Sequence, residues 1–176
     1  MALVVFLRGV NVGGHRTFRP SMLAEQLKHL DAVNIGAAGT FVIRRPVTRA
    51  QLRAELAGRL PFEVEISICQ GREIVGLTSQ SHFSGQPLRR DIVRFVSVLS
   101  KRARSTPSTP MTLPSRGKWL LKILATDGRF VFGVYRRQME VLRHLGTLDR
   151  LFGVSVTTRN WNTITAIAKV LENRRS

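Results

Sequence analysis

Apolar residues recur along this chain with two periods, and the switches between them mark out its elements. Leu3, Val4, Val5, Phe6 and Leu7 form a continuous run rich in β-branched side chains, the pattern of a strand covered on both faces. Arg8 ends the run, and a polar loop follows that is punctuated by Gly9, Gly13 and Gly14 and carries Asn11 and His15. Leu23, Leu27 and Leu30 fall at i, i+4 and i+7. That spacing predicts a helix over about 20–31, with Pro20 and Ser21 suited to its start. Val33–Ile35 and Thr40–Ile43 are two short β-type runs joined across Gly36-Ala37-Ala38-Gly39. Thr48 and Gln51 have the spacing of a capping box, Leu52, Leu56 and Leu60 line one helix face, and Pro61 stops it. A strand over 64–69 completes the order β-α-β-β-α-β, the split βαβ or ferredoxin-like unit.

A short helix near Glu73–Ser79 and a polar segment, Gln80–Arg90, lead into a second half. It opens with the strand Ile92–Leu99. Ser100–Ser115 is proline- and serine-rich and basic, which predicts irregular chain where the first half has a helix. Trp119–Ala125 and Phe130–Tyr135 flank Asp127-Gly128, a strong hairpin signal. Met139, Leu142 and Leu145 start a helical face that resumes through Leu148, Leu151 and Phe152. Val154–Thr157 is a strand, and Trp161, Ile164, Ile167, Ala168 and Leu171 give a C-terminal helix with Asn160 as its N-cap. The expected fold is α/β (α+β): two ferredoxin-like split βαβ modules, 1–80 and 81–176, packed in one compact chain.

Composition narrows the classes. A hydrophobic fraction of 43% in 176 residues is enough for a core. No apolar run approaches the roughly 18 residues that span a bilayer, so the expectation is a soluble cytoplasmic protein without a membrane partner. Cys69 is the single cysteine, which rules out an internal disulfide and suits a buried thiol better than a nucleophile. The charge changes the picture most: 28 Lys+Arg against 11 Asp+Glu give +17, a field that draws polyanions.

Two stretches at opposite ends carry a resemblance. Leu7-Arg8-Gly9-Val10-Asn11-Val12-Gly13-Gly14 and Thr158-Arg159-Asn160-Trp161-Asn162-Thr163 resemble the domain of unknown function 1697 family of bacterial proteins, and the order of elements between them agrees along nearly the whole chain. The resemblance implies two ferredoxin-like modules and no particular reaction, substrate or cofactor. Where members of that family carry Ser-Gly-Asn in the second hairpin, this chain has Ala38, Gly39 and Thr40.

A strand–glycine loop–helix can present backbone N–H groups to a phosphate, although the spacing matches no nucleotide fingerprint and the glycines can equally serve positive φ. Arg159-Asn160 occupies a similar strand-to-helix position. The expected anion site gathers Arg8, Asn11, Gly13, Gly14, His15, Arg159 and Asn160. The alternative is that Asn160 only caps its helix, Arg159 pairs locally and Trp161 packs in the core. The basic pairs Arg44-Arg45, Arg89-Arg90, Lys101-Arg102, Arg136-Arg137 and Arg174-Arg175 suggest a phosphate-tracking surface. Lys101, Arg102, Arg104, Arg116 and Lys118 are its foremost candidates for nucleic acid. Gly128–Tyr135 has a faint likeness to the aromatic strand of RNA-recognition motifs, with Phe130 and Phe132 on one face, although core packing suits it better. His15, His29, His82 and His144 show no ligand spacing, no metal or cofactor is expected, and whether the chain is an enzyme stays open. The leading expectation is anion or nucleic-acid binding. Its rival is a small-molecule enzyme holding a phosphorylated ligand at loop 8–15.

Overall fold

The opening apolar run becomes strand β1 (Leu3–Leu7), and all five of its side chains are buried. The structure, a computed structural model that describes residues 1–11, 14 and 16–173, is a mixed α+β fold. It holds one four-stranded and one five-stranded antiparallel sheet. The chain divides into two compact units, residues 1–79 together with those from Asn162 onward, and Gln80–Trp161. No helix among the described residues is long and apolar enough to cross a membrane.

In the first unit β1 is followed by α1 (Pro20–Gln26), a 3-10 turn (Lys28–Leu30), β2 (Ala32–Ile35), β3 (Thr40–Ile43), α2 (Arg49–Arg59), β4 (Ile66–Gln70) and α3 (Gly71–Thr78). The strands lie in the order β2-β3-β1-β4. One sheet face presents Leu3, Val5, Leu7, Phe41, Ile43 and Ile68 to Leu23, Leu27, Leu52 and Leu56. Truncating a leucine such as Leu52 or Leu56 in a core like this costs about 2–5 kcal/mol. The expected capping box forms at α2: Thr48 Oγ1 accepts from the Gln51 amide and the Thr48 amide donates to Gln51 Oε1, each at 3.1 Å. The helix expected over 20–31 breaks at Leu27, whose ψ of 18° leaves the helical range, and Asp31 turns the chain at φ +52°.

The last helix, α6 (Trp161–Glu172), corrects the expected division. From Asn162 it belongs to the first unit, not to a C-terminal module of 81–176. Leu171 lies so close to Gly71 at the start of α3 that a Cβ there would sit 3.0 Å from Leu171 Cδ2. A glycine at this point lets the helices approach.

The second unit runs β5 (Ile92–Leu99), β6 (Met111–Leu113), β7 (Leu121–Asp127), β8 (Phe130–Arg136), α4 (Val141–Gly146), α5 (Leu148–Phe152) and β9 (Val156–Asn160). Its sheet order is β6-β7-β8-β5-β9. Without β6 this repeats the order of the first unit, with residues 100–120 in place of the first helix. That segment is not wholly irregular, as the composition suggested. Met111 pairs with Ile123 and Leu113 with Leu121, which adds an edge strand. Upstream, the Arg104 amide donates to the Phe152 carbonyl at 2.9 Å and Ser105 Oγ to the Leu151 carbonyl at 2.7 Å. One sheet face, with Phe95, Leu121, Ile123 and Val131, packs on Val141, Leu148 and Phe152. Gly133 makes this possible, because a Cβ there would stand 2.4 Å from the Phe95 ring.

The opposite face carries Phe130, Phe132 and Val134, all buried. The His82 ring stacks on Phe132 at 3.7 Å, and Phe83 meets it edge-on. Segment 80–90 therefore covers the aromatics that an RNA-recognition strand would expose, and the core reading of Phe130 and Phe132 holds.

Candidate functional site

The loop after β1 is organised by Asn11. Its backbone sits at φ +56°, a left-handed conformation that asparagine tolerates better than most residues. Its Nδ2 donates to the Ala37 carbonyl and its Oδ1 accepts from the Phe18 amide, both at 2.9 Å. The side chain ties the loop to the β2–β3 turn, an architectural role for the residue expected to grip an anion. Gly39 locks the same contact from the other side: its φ is +84°, and a Cβ would meet Val10 Cγ2 at 2.7 Å. Gly9 and Gly14 also have positive φ, at 66° and 79°, with open space where a side chain would go. The candidates Gly13 and His15, and the pair Arg174-Arg175, lie outside the described residues.

Arg8, Gly9 and Arg16 line a cleft of about 540 Å³, and Glu63, Val64 and Glu65 form the rest of its wall. Arg8 Nη1 is 3.3 Å from Glu65 Oε2, and the Arg8 amide donates to the Glu65 carbonyl at 3.0 Å. A second cleft, of about 490 Å³ and lined by Leu60, Pro61, Phe62 and Ile66, shares Glu63 and Val64 with the first. Two carboxylates therefore share this cleft with two guanidiniums. A phosphate entering here would have to displace Glu65 from Arg8 and accept Glu63 nearby, which like-charge repulsion opposes.

Arg8 belongs to the first unit and Arg159 to the second. Arg159 lies within β9, opposite Val96 of β5, because the strand runs to Asn160, three residues past the end its apolar pattern suggests. It is 8% exposed and its Nη1 donates to the Thr158 carbonyl at 3.0 Å. Burial lowers the guanidinium pKa to about 10. Asn160 is exposed, closing β9 directly ahead of α6. Trp161 packs edge-on against Phe83 with centroids 5.0 Å apart, as the local-packing alternative has it.

The five residues singled out for nucleic acid, Lys101, Arg102, Arg104, Arg116 and Lys118, are all exposed. They sit on the anchored segment that leads into and out of β6. Just beyond them lies a cluster that the sequence showed only as scattered basic pairs and a lone tryptophan. Cross-strand register puts Arg94 of β5, Val134 of β8 and Lys122 of β7 in one row on one sheet face. Arg136 follows on the same face, two residues along β8. Trp119 joins them: Lys122 Nζ is 4.3 Å and the Arg136 guanidinium 4.1 Å from its ring centroid. Arg136 Nε donates to the Trp119 carbonyl at 2.7 Å and Nη1 lies 3.9 Å from Asp91. Asp91 also pairs with Arg89 at 2.9 Å, and Arg137 Nε donates to the Arg90 carbonyl at 2.8 Å. Lys122 and Arg136 thus meet on one indole and Arg136 and Arg89 on one carboxylate, with the exposed Arg90 and Arg137 joined to each other alongside. Among the described residues no three His, Cys, Asp or Glu side chains gather as a metal site would need.

No family model matches the chain, and none of the curated proteins does. Among solved structures it is similar to the conserved bacterial protein SP0830 from Streptococcus pneumoniae. The TM-score is 0.59 at 15% identity, over 97% of this chain and 98% of that one. The likeness is one of fold.

Proposed function

We propose that this chain is a cytoplasmic polyanion-binding protein, with nucleic acid as its ligand, related to the domain of unknown function 1697 proteins that its terminal motifs resemble. We also read its units as two copies of a ferredoxin-like module, since β7-β8-β5-β9 repeats the order β2-β3-β1-β4. The observation that carries the binding reading is the meeting of Lys122 and Arg136 on Trp119 and of Arg136 and Arg89 on Asp91, with the exposed Arg90 and Arg137 alongside. Such a surface binds phosphates by releasing their counterions. The exposed Lys101, Arg102, Arg104, Arg116 and Lys118 extend it. The rival reading, an enzyme with a phosphorylated ligand at loop 8–15, has the 540 Å³ cleft in its favour and Glu63 and Glu65 against it.

Fluorescence anisotropy with labelled oligonucleotides, titrated with salt, tests this reading. Binding should persist at about 0.15 M salt, with a log–log slope corresponding to about five released counterions. Binding that vanishes by that concentration, where the Debye length is about 8 Å, would reduce the +17 to bulk attraction and overturn the proposal.

A further inference from the structure

Within the basic cluster the two cations on Trp119 are held differently. Arg136 is fixed by its Nε bond to the Trp119 carbonyl, its proximity to Asp91 and a side chain only 15% exposed. Lys122 rests its ammonium on the indole, and among the described residues that ammonium has no hydrogen-bond or ion-pair partner. A lysine ammonium is a strongly hydrated, flexible charge, so little but the ring attraction keeps it there. Across the row Arg94 is tied down as well, with Nη2 donating to the Gln86 carbonyl at 3.1 Å and its guanidinium 5.5 Å from the Phe83 centroid. The surface thus offers a half-buried indole with one fixed guanidinium and one displaceable ammonium over its ring, and the exposed Lys118 is its chain neighbour.

Resting on the nucleic-acid reading above, we infer that Trp119 is a stacking platform for an unpaired base and that Lys122 swings from the indole to the adjoining phosphate, which makes single-stranded polynucleotide the preferred ligand. A base has a π-face of the right size for the indole, and stacking of this kind is sequence-tolerant. The ammonium that leaves the ring gains an anionic partner that it otherwise lacks. In a duplex the base faces are stacked on each other and closed to the indole, so the same surface should hold duplex through charge alone.

The test uses the whole chain with oligo(U), oligo(dT) and a duplex of equal length at one salt concentration. The single strands should bind about tenfold tighter than the duplex, the scale of one stacked base, and should quench tryptophan emission. Trp119→Phe keeps a ring on the same backbone and isolates the Trp119 signal from that of Trp161. It should retain most of the single-strand preference, whereas Trp119→Leu should abolish it and leave duplex binding within twofold. Lys122→Gln should flatten the salt dependence by about one counterion. Equal affinity for both forms, or single-strand binding without quenching of Trp119, overturns the stacking inference and leaves the basic surface standing. Failure to bind either form overturns both.

Discussion

The glycine-loop cleft and the Trp119 cluster both hold arginines, and they differ in what stands opposite. In the cleft Arg8 faces Glu65 at 3.3 Å and Arg16 shares a wall with Glu63. Lys122 and Arg136 stand over Trp119, and one carboxylate, Asp91, is shared by Arg136 and Arg89. The same contrast runs through the two units: the first carries 13 Lys+Arg and seven Asp+Glu, the second 15 and four. A chain-wide charge of +17 does not locate an anion site. The placement of the few carboxylates does, since each one cancels a neighbouring cation at short range while the rest of the field is screened.

The largest effect expected from this contrast comes from neutralising the second unit's cluster. Arg89→Gln/Arg90→Gln/Arg137→Gln should weaken oligonucleotide binding about 100-fold and lower the salt slope by about three counterions. Arg8→Gln/Arg16→Gln in the cleft should change it less than about twofold, because Glu65 pairs with Arg8 and Glu63 lines the same cleft as Arg16. If anisotropy shows the cleft variant losing affinity and the cluster variant keeping it, the comparison is reversed and the loop becomes the anion site.

Next in size is a stability effect without a binding effect. Asn11→Ala removes the bonds to the Ala37 carbonyl and the Phe18 amide and leaves a left-handed backbone that alanine resists. The expected loss is about 2 kcal/mol, or a Tm lowered by about 4–8 °C for a chain of this length, with nucleic-acid affinity unchanged. A variant that melts normally and binds weakly would show that Asn11 touches a ligand. Smaller again is the contribution of the outlying cations. Lys101→Gln/Arg102→Gln should cost about tenfold in affinity and no more than two counterions of slope.

The order of elements was legible where side-chain spacing and local chemistry agree. Leu23 and Leu27 placed the first helix, the Thr48–Gln51 box started the second, and Asp127-Gly128 turned the hairpin between β7 and β8. Tertiary pairing decided the rest. Met111–Leu113 is strand only because β7 offers it an edge, and nothing in that proline-rich stretch signals this beforehand. Strand β9 runs through polar Thr158-Arg159-Asn160 because β5 supplies its partners. The long-range placement of α6 in the first unit also has no sequence signature, since a clear amphipathic helix can cover either sheet. The candidate site was legible as charge but not as geometry. Arg136-Arg137 and Arg89-Arg90 stood out as pairs, yet only the β5–β8 register brings Arg136 and Arg137 beside Asp91. Trp119 stood one residue beyond the basic segment and looked like the start of a strand.

The smallest expected effect separates the second unit's buried polar groups from its surface charge. Burial raises the Tyr135 phenol above its ordinary pKa, partly offset by Arg137, while its ring lies 5.7 Å from that of Phe95. A phenol whose folded pKa exceeds its unfolded value keeps its proton longer in the native state. Its contribution is therefore complete below about pH 10 and is lost as the pH rises through the folded value. Arg159 has the opposite slope. With its folded pKa lowered to about 10, the native state sheds that proton first, and stability on its account rises with pH above that point. Removing the phenol alone should expose the difference. Tyr135→Phe keeps the ring against Phe95 and should lose less stability than the parent between pH 9 and about 11 in urea unfolding. Its salt-dependent oligonucleotide binding at neutral pH should stay the same, because the phenol is uncharged there and every cation of the surface keeps its charge. A variant with an unchanged alkaline profile would show that the phenol titrates alike in both states. A variant with altered binding would show that the Tyr135 phenol, within reach of the Arg137 charge, takes part in the proposed surface.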